Sequence, residues 1–166
     1  MLIPAIIKKE EIEMQFKRYY YTDDMMYETG GLYNWVPSIS ESDGNGFIQY
    51  AIVDDNNGKL LGYFGYRIDW YTSCASQFGL FSFDRGNLTV GIDVMKEIRK
   101  LIHDYKLHRI EWRMVGGNPV EKHYDKFCDR YNGRKLVLHD AIKDRYGRYR
   151  NDVIYEIIND EERSGE

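Results

Sequence analysis

Apolar and aromatic residues at Ile12, Phe16, Tyr19 and Tyr20 punctuate a charged stretch from Ile6 to Tyr21, a helical spacing. The stretch Ser38 to Gly46 has loop chemistry. Strand signals follow at Phe47–Val53, Lys59–Trp70 and Gln77–Phe83, and Asp55 to Gly58 between the first two reads as a hairpin turn. The period then changes. Val90, Val94, Ile98, Leu101, Ile102 and Tyr105 fall on one helical face, with Asp93, Lys96, Arg99 and Lys100 off it. Arg109–Val115 alternates again: Ile110, Trp112 and Met114 point one way, Glu111 and Arg113 the other. Asn118-Pro119-Val120-Glu121 reads as a helix start, with Asn118 as cap, Pro119 in the first turn and Glu121 closing a capping box. That helix runs to about Tyr131 and stops at Asn132-Gly133. Strands at about Lys135–Ile142 and Asp152–Ile158 flank a turn around Gly147.

The order is helix, three strands, helix, strand, helix, two strands. A strand-helix-strand crossover from Gln77 to Val115 makes its two strands parallel, while the meander before it and the hairpin after it are antiparallel. The predicted class is therefore α/β in the mixed α+β sense. It has a central, mostly antiparallel sheet with one parallel crossover, and helices on both faces.

A chain of 166 residues is expected to form one domain. The net charge of −4 argues against nucleic acid as a partner. No stretch approaches a membrane span, and the N-terminal run Met1-Leu2-Ile3-Pro4-Ala5-Ile6-Ile7 lacks the charge and length of a signal peptide, so a soluble cytoplasmic protein is expected. Cys74 and Cys128 have no metal-ligand spacing and read as reduced, mostly buried thiols. Tyrosine is unusually frequent, with 15 residues, suiting either a core or a half-wet pocket.

Two loops carry the candidate chemistry. Phe83 to Gly91 joins a strand to the clearest helix, whose unpaired N–H groups and partial positive charge offer an anion site, the alternative being that its glycines are turn residues only. Gly86 and Gly91 let a phosphate approach the backbone there, and Thr89 adds a hydroxyl. Gly116-Gly117-Asn118-Pro119 ends the next strand, so both loops converge beyond the carboxyl ends of neighbouring strands, where open α/β sheets bind ligands.

The run Gln77–Ile158 resembles the GNAT superfamily of acetyl-CoA-dependent N-acetyltransferases. The matching pieces are the strand Gln77–Phe83, the loop Arg85–Gly91, the helix Val90–Tyr105, the strand Arg109–Val115, Asn118, Tyr124-Asp125-Lys126-Phe127, and the hairpin Gly147 to Tyr155. Two departures stand out. Thr89 occupies the position of the loop's first glycine, and Tyr124 follows Asn118 by six residues, one fewer than the family's usual spacing.

The resemblance implies acetyl-CoA as co-substrate, no metal, and direct transfer of an acetyl group to a primary amine in a ternary complex. A non-catalytic acyl-CoA-binding or protein-interaction module of the same fold is the alternative. It also implies that the pantetheine arm lies along Leu80, Phe81, Ser82 and Phe83, and that pyrophosphate lies on the loop formed by Arg85, Gly86, Asn87, Leu88, Thr89, Val90, Gly91 and Ile92. Asn118 contacts the pantetheine, and Tyr124 is the acid toward the CoA sulfur. Glu111, on the strand beside the cleft, reads as the candidate base or as a solvated strand carboxylate. His123 adjoins Tyr124 but points elsewhere on the helix, and His103 and His108 read as surface residues near a helix end. A water chain is the alternative to a dedicated base. Residues 77–158 form the cofactor half. Residues 1–76 form the acceptor side, where Tyr19, Tyr20, Tyr21, Tyr27, Tyr33 and Trp35 cluster, and 159–166 a flexible tail. The partner is a small-molecule or peptide amine, with a homodimer left open. The Lys143–Arg150 run is diluted by Asp140, Asp144 and Asp152 and reads as a solvated hairpin.

Overall fold

A computed structural model describes residues 1–20, 27, 36–41 and 46–159. Tyr21, Tyr33, Trp35, loop residues 42–45 and tail residues 160–166 lie outside the described residues. The elements are β1 (Leu2–Pro4), a 3-10 turn (Ala5–Lys8), α1 (Lys9–Tyr19), β2 (Phe47–Val53), β3 (Leu60–Asp69), β4 (Cys74–Ser82), α2 (Leu88–His103), β5 (Arg109–Val115), α3 (Glu121–Arg130), β6 (Arg134–Lys143) and β7 (Tyr149–Ile158). The strands form one sheet in the order β1-β2-β3-β4-β5-β7-β6. Every neighbouring pair is antiparallel except β4 and β5.

Helices cover both faces, as the sequence predicts. On one, α1 buries Ile12 and Phe16 against Ala51, Val53, Tyr63 and Phe81. On the other, Val94, Ile98, Leu101 and Ile102 of α2 and Phe127 of α3 meet Phe64, Tyr66, Ile110, Trp112 and Tyr155. Each such side chain contributes about 1.5–3 kcal/mol of transfer free energy. The apolar stripe is thus what fixes each helix to its sheet face.

Four details differ from the sequence reading. β1 is an added edge strand, paired through Leu2 to Ile52 and Ile3 to Ala51. Tyr20 and Tyr105 leave their predicted apolar faces and are exposed, because α1 ends at Tyr19 and α2 at His103. Asp93 is buried instead of solvated, its carboxylate 2.7 Å from the Met1 ammonium. The third helix begins at Glu121. Asn118 Oδ1 accepts from the Val120 N–H in a local turn, at 3.1 Å, and Glu121 reaches back to the Gly117 N–H at 3.3 Å.

Burial also explains the two inner tyrosines of β2 and β3. Glu97 of α2 accepts hydrogen bonds from Tyr66 Oη at 2.7 Å and Tyr50 Oη at 3.0 Å. Burial, with Glu97 alongside, pushes the Tyr50 hydroxyl up to about 12 and moves Tyr66 in the same direction. This carboxylate is buried but satisfied, as a buried charge must be.

Candidate functional site

β4 and β5 pair only at Cys74–Arg109 and Ala75–Ile110. Beyond Ala75 the two strands diverge. Gln77 takes a left-handed conformation with φ of 56°, and the β3–β4 register slips between Gly65 and Arg67. This irregularity turns β4 away from β5. Among the described residues, the edge of β4 facing β5 consequently has no partner strand over its second half.

The gap is a cleft of about 420 Å³, within the range of small-molecule sites. Phe78, Leu80 and Ser82, alternate residues of β4, form one wall. Trp112, Arg113 and Met114 of β5 form the other, with Val94, Met95 and Ile98 of α2 beneath. Tyr124 and Phe127 of α3, the turn Asn118–Val120, and Arg85, Gly86 and Tyr27 complete the lining.

The structure therefore gathers Leu80, Ser82, Arg85, Gly86, Asn118 and Tyr124 around one space. Other sequence candidates sit elsewhere. The Phe81 and Phe83 side chains pack on the α1 face against Phe16 and Tyr19, as strand alternation requires. Val90 is buried on the inner face of α2, and Leu88 and Ile92 are exposed. Glu111 does not line the cleft; it is ion-paired with Arg109 on the sheet face opposite Trp112.

The start of α2 has its own chemistry. Asn87 is the cap, its Oδ1 accepting from the Thr89 N–H at 3.0 Å. That side chain already occupies one of the amides assigned to an anion. Gly86 adopts φ of 84°, and a side chain placed on Gly86 or Gly91 would meet only open space. Gly86 thus leaves the backbone approachable beside the cleft, which suits a phosphate-bearing ligand. Hydrogen bonds from Asn87, then Lys59, hold the neighbouring Asp84 carboxyl below its usual range.

Tyr124 is half-buried, with its ring edge-on to Trp112 at 5.9 Å and to Tyr155 at 5.8 Å. Trp112 and Tyr155 stack nearly parallel at 5.2 Å. Tyr155 Oη donates to Asp125 Oδ1 at 2.6 Å, and Lys135 Nζ bridges Asp125 and Glu121 at 2.8 and 2.9 Å. Burial works against the Lys135 ammonium, yet hydrogen bonds to Asp125 and Glu121 hold its pKa well above the usual value. This network pins α3 to β6 and β7. Asn118 Nδ2 donates to the Tyr27 carbonyl at 3.3 Å, bringing one aromatic of the N-terminal half to the cleft.

Sequence reasoning missed Phe78, Trp112, Met114 and Phe127 as lining, because an apolar cleft floor has the pattern of a core. The period of two through Phe78, Leu80 and Ser82 was the available sign. Across β4, a second cavity of about 280 Å³ lies beside Tyr63, Gly65, Gly79 and Phe81, and Phe78 borders both spaces. Among the described residues no His, Cys, Asp and Glu group is placed to hold a metal, and no helix is long and apolar enough to cross a membrane.

Solved structures of acetyltransferases share this mixed α/β fold. The spermidine N-acetyltransferase from Vibrio cholerae, solved in complex with CoA and spermine, is similar with a TM-score of 0.69 at 15% identity, over 96% of this chain and 95% of that one. The ribosomal-protein-S5-alanine acetyltransferase from Vibrio fischeri is similar with a TM-score of 0.64 at 17% identity, over 97% and 92%. At identities this low the likeness shows the fold. No protein-family model matches the chain, and no curated protein matches it by sequence.

Proposed function

We propose that the protein is an N-acetyltransferase that moves an acetyl group from acetyl-CoA to a primary amine by direct transfer in a ternary complex. The observation that carries this reading is the divergence of β4 and β5 after two residue pairs, which opens a cleft at the start of α2. The similarity to acetyltransferase structures, one of them holding CoA, supports it.

Acetyl-CoA supplies the thioester and its own leaving group. The unpaired edge of β4 along Phe78 to Ser82 offers backbone groups to an extended pantetheine arm. Gly86 and the free amides at the start of α2, with Arg85 at the mouth, face the pyrophosphate. The apolar floor of Val94, Ile98, Met114 and Phe127 excludes water around the thioester, which strengthens any polar contact made there. Tyr124 on α3 gives its proton to the departing sulfur as the amine attacks.

The test is calorimetric titration with CoA. Saturable binding is expected, and Gly91→Asp weakens it by placing a carboxylate beside the phosphates, in space that is open enough for the side chain. Absence of binding at millimolar CoA overturns the reading. CoA binding without amine-dependent thiol release leaves a binding module in its place.

A further inference from the structure

Arg113 lies on the side of β5 opposite the buried Trp112, yet it lines the cleft because the splay exposes the strand's edge. Its Nη2 pairs with Asp152 Oδ2 at 2.9 Å, and Asp152 sits on the neighbouring strand β7, across from Val115. The Asp152 side chain is only 8% exposed, and that of Arg113 about a third.

The pair is poorly built for stability. Arg113 Nε and Asp152 Oδ1 are both buried and without a hydrogen-bond partner among the described residues. A buried ion pair with unmet donors and acceptors does little better than apolar residues of the same volume. The pair does succeed in holding a guanidinium at the cleft wall. A guanidinium has five N–H donors in a fixed fork, and the Asp152 contact uses one nitrogen. Such a fork fits a carboxylate or phosphate. Arg85 lines the same cleft at the α2 end, where the cofactor's phosphates are assigned, so Arg113 is the arginine left for the second substrate.

Resting on the acetyltransferase reading, we propose that Arg113 is the specificity residue of the acceptor side, with Asp152 as the residue that positions it, and that the acceptor is an amine whose body also carries an oxyanion. A polycation is disfavoured at that wall. The same positive charge favours the neutral form of an amine brought close to it, which is the nucleophilic form.

The experiment measures kcat/KM by thiol release for paired acceptors: alanyl-phenylalanine against its C-terminal amide, phosphoethanolamine against ethanolamine, and spermidine. We expect at least one acid to exceed its neutral partner about tenfold or more, and to exceed spermidine. The carboxylate and phosphate arms tell which oxyanion is read. Arg113→Gln is expected to bring the acid-to-neutral ratio to about one. Because that change strands Asp152 as a buried unpaired carboxylate, Arg113→Gln with Asp152→Asn is the second variant, and it is expected to give the same loss of preference. Ratios near one in the unaltered protein, a preference for spermidine, or a preference that survives both variants overturns the inference. If no amine is turned over, calorimetry of the same pairs on CoA-loaded protein decides. Tenfold tighter binding of an acid upholds Arg113 while acetyl transfer falls, and equal affinities sink the inference by itself.

Discussion

Replacing Tyr155 by phenylalanine removes one hydroxyl and leaves the ring. The ring is fully buried, stacked on Trp112 and edge-on to Tyr124, and those contacts survive. The lost interaction is the 2.6 Å hydrogen bond to Asp125 Oδ1. A hydrogen bond to a charged group contributes about 1.5–3 kcal/mol. Asp125 is 39% exposed and keeps Lys135 at 2.8 Å, so the low end applies, about 1.5 kcal/mol. For a domain of this size that is a fall in Tm of roughly 3–6 °C. Urea unfolding at pH 7 should show a lower midpoint with an unchanged slope. A double-mutant cycle with Asp125→Ala should recover most of the difference as coupling. Hydrogen bonds from Lys135, then Tyr155, hold the Asp125 carboxyl below its usual range. A depressed carboxyl adds stability above its unfolded value, near about 3.9, and loses it as pH falls through the lower folded value. The gap between the native protein and Tyr155→Phe should therefore narrow below about pH 4. A difference under about 0.5 kcal/mol at pH 7, or one that persists undiminished in the Asp125→Ala background, would refute the reasoning.

Tyr124→Phe is expected to lower kcat about a hundred- to ten-thousand-fold, the range for loss of a general acid, with CoA affinity nearly unchanged. Steady-state rates with calorimetry decide it, and an unchanged kcat in a folded protein removes Tyr124 from the chemistry. Gly133→Ala is expected to destabilise by roughly 1–3 kcal/mol from overpacking. An added Cβ there would lie 2.5 Å from Cys128 Sγ and 2.7 Å from the Glu156 carbonyl, and a wild-type unfolding midpoint would show that the α3–β6 connection yields.

The fold was legible wherever periodicity and turn chemistry agreed. β2 and β5 begin and end at the predicted residues, and the hairpin turn closes with the Asp54 N–H donating to the Lys59 carbonyl at 2.9 Å. β1 was not legible, because three residues with a proline carry no period and become a strand only beside β2. The shift of the third helix to Glu121 came from Asn118, whose oxygen serves a local turn while its amide reaches Tyr27. The site was half legible. Side chains that differ from a core pattern, such as Arg85, Asn118 and Tyr124, were picked out, whereas Phe78 and Met114 were not. Placement at the cleft depends on a left-handed Gln77, and no local residue type demands that conformation. Arg113 was read only as the outward side of β5, because the splay that carries it to the cleft leaves no mark in the alternation.

Among the described residues, two ladder pairs join the β1–β4 half of the sheet to the β5–β7 half. Over the rest of that seam the halves are joined through the helices packed across them, without the ladder of backbone bonds that makes a sheet cooperative. The seam is thus the part of the sheet that backbone bonding holds least. A ligand lying in it would touch both leaves at once and supply the missing rung. Occupancy would then be read in slower amide exchange along both bordering strands.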